Sequence, residues 1–195
     1  MSYGRRMTGR PRDPAVDDAI LRATFELASE AGYRGVSMEG IAARSGVSKQ
    51  TVYRRYSSKG EVILDALAAF AVEKLPTPDT GTLRGDLAEL LVATFDAQQG
   101  ASGILNRALA AEALQDHNFT KLLWERLTLP RRNEVRKILQ RARDRGEISN
   151  SNDEFLIDLV FGPMWYRLLF DHSVLDHDYA RAVTDTVVAV ARFGG

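Results

Sequence analysis

The sequence predicts an all-α chain in which a small amino-terminal three-helix module is joined to a larger helical domain. Three observations carry this expectation. Apolar residues recur at three- and four-residue intervals along most of the 195 residues, and no segment shows the strict alternation of a half-buried strand. Serine or asparagine stands ahead of several periodic runs and glycine behind them, where helix caps belong. Charge is also segregated: the formal total is zero, yet residues 1–60 hold 11 Lys/Arg against 6 Asp/Glu, net +5, and residues 61–195 hold 15 against 20, net −5. A basic front end on an acidic body is the distribution expected of a polyanion-binding module on its carrier.

The first helix is expected over about 14–31, from the spacing of Val16, Ile20, Ala23, Leu27 and Ala31, with Gly32 at its end. Ser37 can cap a second, short helix whose stripe is Met38, Ile41 and Ala42 and which Gly46 stops. Ser48 can cap a third over about 49–55, and the Ser57-Ser58-Lys59 run leads into a fourth over about 59–74. The loop Leu75 to Gly81 gathers proline, glycine, aspartate and threonine. Further helices are expected near 82–99, 103–116, 118–145, 153–173 and 177–193, with Pro130 kinking or dividing the third of these and Gly146 ending it. The resulting division is a mobile basic arm over 1–13, a small basic helical unit over 14–60 and a larger helical unit over 61–195.

Composition excludes several classes. Hydrophobic residues at 45% and charged residues at 27% match a folded globular protein. The absence of cysteine removes disulfides, thiolate metal sites and cysteine nucleophiles. No apolar run reaches the ~18 residues of a membrane span and the amino terminus has no apolar signal core, so a cytoplasmic protein is expected with no membrane partner. No Ser/His/Asp set, glycine-rich phosphate loop or paired carboxylates suggest an enzyme.

The informative stretch is Ile41 to Ile63, where two short helices meet across a turn at Gly46 and Val47. Glycine tolerates the positive φ of such a turn, and Val47 can plug the angle between the helices. The next helix then points its start outward, with unpaired N–H groups suited to phosphate and with Lys49, Gln50 and Thr51 on its first turn. Tyr53, Arg54, Arg55, Tyr56 and Lys59 follow, mixing hydroxyls with cations. A charge run is ordinarily a solvated face; its position after a turn of helix-turn-helix length favours nucleic acid.

The stretch resembles the TetR family of transcriptional regulators, whose amino-terminal pattern is I-A-x-x-x-G-V-S-x-x-x-hydrophobic-Y-x-x-aromatic-x-x-K. The matching residues are Ile41, Ala42, Gly46, Val47, Ser48, Val52, Tyr53, Tyr56 and Lys59. The resemblance implies a dimeric DNA-binding regulator, a repressor released from a double-stranded operator by a small molecule. It further implies that Lys49, Gln50 and Thr51 read bases while Tyr53, Arg55 and Lys59 hold phosphates, with Ser37, Ser48, Arg54 and Tyr56 completing the DNA-binding set. Ser45 and Gly60 depart from the family, Gly60 replacing a frequent glutamate, so the fourth helix is expected to begin less firmly. A DNA-binding protein without a ligand and, further off, an all-helical enzyme are the alternatives.

The arginine leader, Arg5, Arg6, Arg10 and Arg12, reads either as a minor-groove arm or as an untidy terminus. In the larger domain, Phe95, Phe119, Trp124, Phe161, Met164, Trp165 and Phe170 are the candidate lining for a small apolar or amphipathic effector, with Gly162 and Pro163 permitting a kink beside the cavity. The helix near 153–173 is apolar nearly all round, so it and the last helix are expected to pair across a two-fold axis through Phe155, Leu159, Tyr166, Leu169, Tyr179, Val183, Val187 and Val190. A monomer with that helix buried at its centre is the other reading. His117, His172 and His177 form no closed ligand set, so neither a metal nor a cofactor is expected.

Overall fold

Capping chemistry sets where most of the helices begin. In a computed structural model that describes residues 13–75, 77–149 and 152–193, the chain forms ten α-helices and one π-helical turn, with no strand among the described residues. The arginine leader falls outside them. Asp13 accepts from the Ala15 amide at the start of α1 (Pro14–Gly35), Ser37 from Gly40 at 3.0 Å for α2 (Met38–Ser45), and Ser48 from Thr51 for α3 (Lys49–Arg55). Ser58 does the same for α4 (Lys59–Lys74), where Glu61 reaches back to the Ser57 N–H at 2.9 Å. Two donors at that end are thereby satisfied reciprocally, which offsets the weak start expected from Gly60.

The remaining helices are α5 (Leu83–Gln98), α6 (Ala101–Ala113), α7 (His117–Leu123), α8 (Leu129–Asp144), α9 (Asp153–Phe170) and α10 (His177–Phe193). The helix expected over 118–145 is therefore divided. A π turn over Trp124–Thr128 joins α7 to α8, and the Leu129 N–H bonds the Trp124 carbonyl five residues back. Pro130 follows at once, and its missing N–H explains why the wider turn sits there. Pro163, by contrast, lies within a continuous α9. Gly32 breaks α1 at a φ of 63°, but the chain makes one more turn to Gly35, which carries Tyr33 beneath α4.

Two buried clusters hold these helices. One joins Ile20, Ile41, Val52, Ile63 and Leu67 to Leu105 and Leu109 of α6 and to Phe119 and Leu127. The other gathers Leu87, Leu91 and Phe95 of α5, Ile138 of α8, Val160 of α9 and Val183 and Val187 of α10. The first cluster crosses position 60 without interruption. α4 thus belongs to both functional units, its amino end packed in the small module and its carboxyl half in the larger domain.

Candidate nucleic-acid interface and interior cavity

A turn between α2 and α3 requires positive φ, and Gly46 supplies it at 69°. α3 then leaves the module with Ser48, Lys49 and Gln50 exposed at its start and Thr51 half-buried, its hydroxyl 2.9 Å from that of Ser48. Tyr53 is 51% exposed and donates its hydroxyl to Glu39 on α2 at 2.9 Å. The Glu39 carboxyl is held below its ordinary value by a backbone hydrogen bond first and by Tyr53 second. Arg54 is exposed, and neither it nor Lys49 makes an ion pair among the described residues. Ser37 is exposed at the start of α2, one helix away.

Three expected DNA contacts face elsewhere. Tyr56 is buried, and the Arg55 side chain, only 10% exposed, pairs with Asp17 on α1. Val52 is buried, so residues three and four positions later turn to the same inward side of so short a helix. Lys59 is also engaged: its ammonium donates to the Tyr33 carbonyl at 3.3 Å and lies 4.4 Å from the centre of the Tyr33 ring. The Tyr33 hydroxyl donates to Glu112 on α6, and burial first, then that carboxylate, push its pKa well above the ordinary value. Gly60 packs against the same carboxylate, since a Cβ there would lie 2.4 Å from Glu112 Oε1. Sequence reasoning missed this junction, and it missed Arg44, which braces α2 to Glu30 of α1 at 2.7 Å.

A cavity of about 260 Å³ opens among α4, α5, α6, α8 and α9. Leu67, Phe70, Ala71 and Leu75 form one wall and Phe161, Gly162, Met164 and Trp165 another, with Gln98, Asn106, Arg131 and Arg132 as polar lining. Of the seven candidates, Phe161, Met164 and Trp165 line it. Phe95 does not: it is fully buried and stacks on Tyr179 with ring centres 5.9 Å apart. Phe119 fills the other core, Phe170 is exposed, and Trp124 lies on the surface beneath Arg132. Gly162 faces the cavity while Pro163 faces a groove between α9 and α10, so the two residues serve opposite sides of one helix. The polar lining went unread because its residues come from different helices.

On the expected partner face, Phe155, Tyr166 and Leu169 are exposed, and Leu159, Tyr179 and Val190 are half-buried. Val183 and Val187 are corrected to core residues of their own protomer, packed towards α5 and reaching the surface only as part of the groove beside Leu159 and Pro163. His177 bonds Asp96 at 2.9 Å and His172 lies edge-on to Tyr166. No group of three or more metal-ligating side chains occurs among the described residues, and none of the described helices is long and apolar enough to cross a membrane.

Comparison with known proteins gives a consistent picture. A family model described as bacterial regulatory proteins, tetR family, matches residues 20–66, and one described as the tetracyclin repressor-like C-terminal domain matches residues 77–187. The chain is 33% identical over 174 residues to the uncharacterized HTH-type transcriptional regulator YdeS of Bacillus subtilis, covering 89% of this chain and 88% of that protein. It is 30% identical over 181 residues to the DNA-binding transcriptional repressor TetR of Mycobacteroides abscessus, covering 90% and 94%. The crystal structure of the TetR family transcription regulator SCO0332 superposes with a TM-score of 0.83 at 28% identity, covering 89% of this chain and 97% of that one.

Proposed function

Because the chain belongs to the TetR family of DNA-binding transcriptional regulators, we propose that a homodimer of it represses transcription from a two-fold operator and is released when a small apolar or amphipathic molecule enters the interior cavity. The observation that carries the reading is the exposed start of α3, where Lys49, Gln50 and Thr51 stand at the amino end of a helix that leads out of a tight turn. Such a tip fits the major groove, and two copies are needed to read a site of useful length. Tyr53, Arg54 and the Ser37 and Ser48 hydroxyls flank the tip and would reach backbone phosphates. Arg55 and Tyr56 would hold α3 at its angle rather than touch DNA.

The dimer is supported by the apolar stripe Phe155, Leu159, Tyr166 and Phe170 along α9, spaced as one helix face, together with the groove that α10 shares with it. Release is supported by α4, whose carboxyl half walls the cavity and whose amino end bears on Tyr33 through Lys59. A ligand that fits the cavity better in one arrangement of α4 would shift the separation of the two reading helices by its differential affinity. The work would be done in the cytoplasm, beside the DNA.

Fluorescence anisotropy with the DNA upstream of the protein's own gene tests the reading. Specific binding should exceed that of random DNA by at least ~10³-fold and weaken steeply with salt. Lys49→Ala or Gln50→Ala should lose ~1–3 kcal/mol and blur sequence preference, and Tyr166→Glu should yield a monomer in sedimentation. Equal affinity for specific and random DNA would overturn the proposal.

A further inference from the structure

The cavity is mostly apolar, yet besides the buried, unpartnered Nε of Arg132 two of its polar groups are incompletely matched by the protein. Arg131 reaches in from α8 with its guanidinium donating to the Leu75 carbonyl at 2.9 Å and to the Thr94 hydroxyl at 3.4 Å. Both acceptors are neutral. No carboxylate lies within ion-pair distance of Arg131 among the described residues: neighbouring Glu134 is bound to Lys137 at 2.9 Å, and Asp158 across the cavity is taken by Arg132 at 2.5 Å. Burial works against its charge, which holds the Arg131 pKa below its ordinary value. A partly buried cation with only neutral partners is under-compensated, and a guanidinium is shaped to take a carboxylate through two parallel hydrogen bonds.

The second group is Asn106 on α6. It is 6% exposed, its Nδ2 donates to Gln98 Oε1 at 2.8 Å, and its buried Oδ1 has no hydrogen-bond partner among the described residues. Buried acceptors are rarely left in this state, and because Asn106 lines the cavity a small turn of its amide would offer Oδ1 to a donor held there. Leu67, Phe70, Phe161 and Met164 supply the apolar surface around both groups, with the Thr94, Ser102 and Thr128 hydroxyls and the Asp158 carboxylate also in the lining.

We infer that the cavity takes an amphipathic monocarboxylate, with its carboxylate on Arg131, its apolar body between Phe70 and Trp165, and a hydroxyl or N–H that donates to Asn106 Oδ1. A single uncompensated positive charge calls for a single negative one; a phosphomonoester would bring nearly two, and Arg132 is already neutralised by Asp158 and Glu154. Neutral amphiphiles leave Arg131 buried without a counter-charge. Volume agrees with a small ligand, since 260 Å³ is near the lower end of the roughly 300–1,000 Å³ of small-molecule sites.

The inference rests on the reading of this cavity as the effector site, and the test separates the two. Calorimetry is run on the full-length protein with octanoate, 3-hydroxyoctanoate and octan-1-ol, and DNA release is followed by anisotropy with the same three probes. Octanoate should bind at least about tenfold more tightly than octan-1-ol, the value of one charge-assisted hydrogen bond, and 3-hydroxyoctanoate a few-fold more tightly again. Arg131→Gln should bring the acid-to-alcohol ratio to about one, whereas Arg131→Lys should keep it well above one. Asn106→Leu should remove the advantage of the hydroxy acid alone. If acid and alcohol bind alike and both release DNA, the carboxylate inference is overturned while the effector site stands. If none of the three binds, both are overturned.

Discussion

Replacing Gly60 with alanine isolates the junction between the small module and the larger domain. A Cβ at this buried position would sit 2.4 and 2.6 Å from the two oxygens of Glu112 and 2.8 Å from its carboxyl carbon. The carboxylate therefore has to swing aside by roughly 1 Å to reach ordinary contact, which lengthens and weakens its bond from the Tyr33 hydroxyl. Losing a half-buried bond to a charged acceptor outright costs about 1.5–3 kcal/mol, and weakening it forfeits the larger part of that. Alanine returns about 0.5–1 kcal/mol because glycine is the poorer helix former. Gly60→Ala should thus destabilise the protein by about 1 kcal/mol, whereas in a Glu112→Ala background, with nothing left to displace, it should stabilise by up to about 1 kcal/mol. Urea unfolding of the wild type, both single variants and the double variant reads the coupling as a change of sign. If Gly60→Ala has the same effect in both backgrounds within ~0.5 kcal/mol, the steric account of this glycine is refuted.

Arg55→Ala should lower the urea midpoint and Asp17→Asn should do so too, because each breaks the link from α3 to α1. If Arg55 instead gripped phosphate, Arg55→Ala alone would flatten the salt dependence of DNA binding, by a slope of about 0.9. Glu61 supplies the pH dependence: burial alone would raise its carboxyl, but the Ser57 N–H and hydroxyl and the Arg126 guanidinium together hold it below its ordinary 4.5. Its contribution is complete above that ordinary value and disappears as pH falls through the depressed one, so the stabilities of wild type and Glu61→Gln should converge in acid. A difference that persists at the lowest pH would contradict this. In α9, a Cβ at Gly162 meets nothing within 4 Å, so Gly162→Ala should raise stability by ~0.5–1 kcal/mol in thermal unfolding; a loss would mean that the cavity wall is tighter than described.

The capped starts of α2 and α3 were legible in the sequence because each is decided by a serine and the amides two or three residues beyond it, a separation the linear order preserves. The direction of Arg55 was equally local and was misread for a specific reason. Residue type suggested phosphate, but Val52 had to be buried for α3 to pack at all, and in a seven-residue helix the positions three and four beyond it turn inward with it. Lys49, Gln50, Tyr53 and Arg54 occupy the complementary face, so tracing the stripe before weighing the charges separates the outward-facing residues of the run from the inward-facing ones. The cavity is a different case. Selecting large apolar side chains retrieves Phe161, Met164 and Trp165 together with Phe95 and Phe119, which are core, because size marks burial and not the presence of a void. Arg131 and Asn106 are marked by something sequence does not carry, the lack of a matching partner once five helices have converged. An unmet hydrogen-bonding need exists only in three dimensions, and it is that need, more than the apolar walls, that restricts the chemistry of whatever the cavity admits.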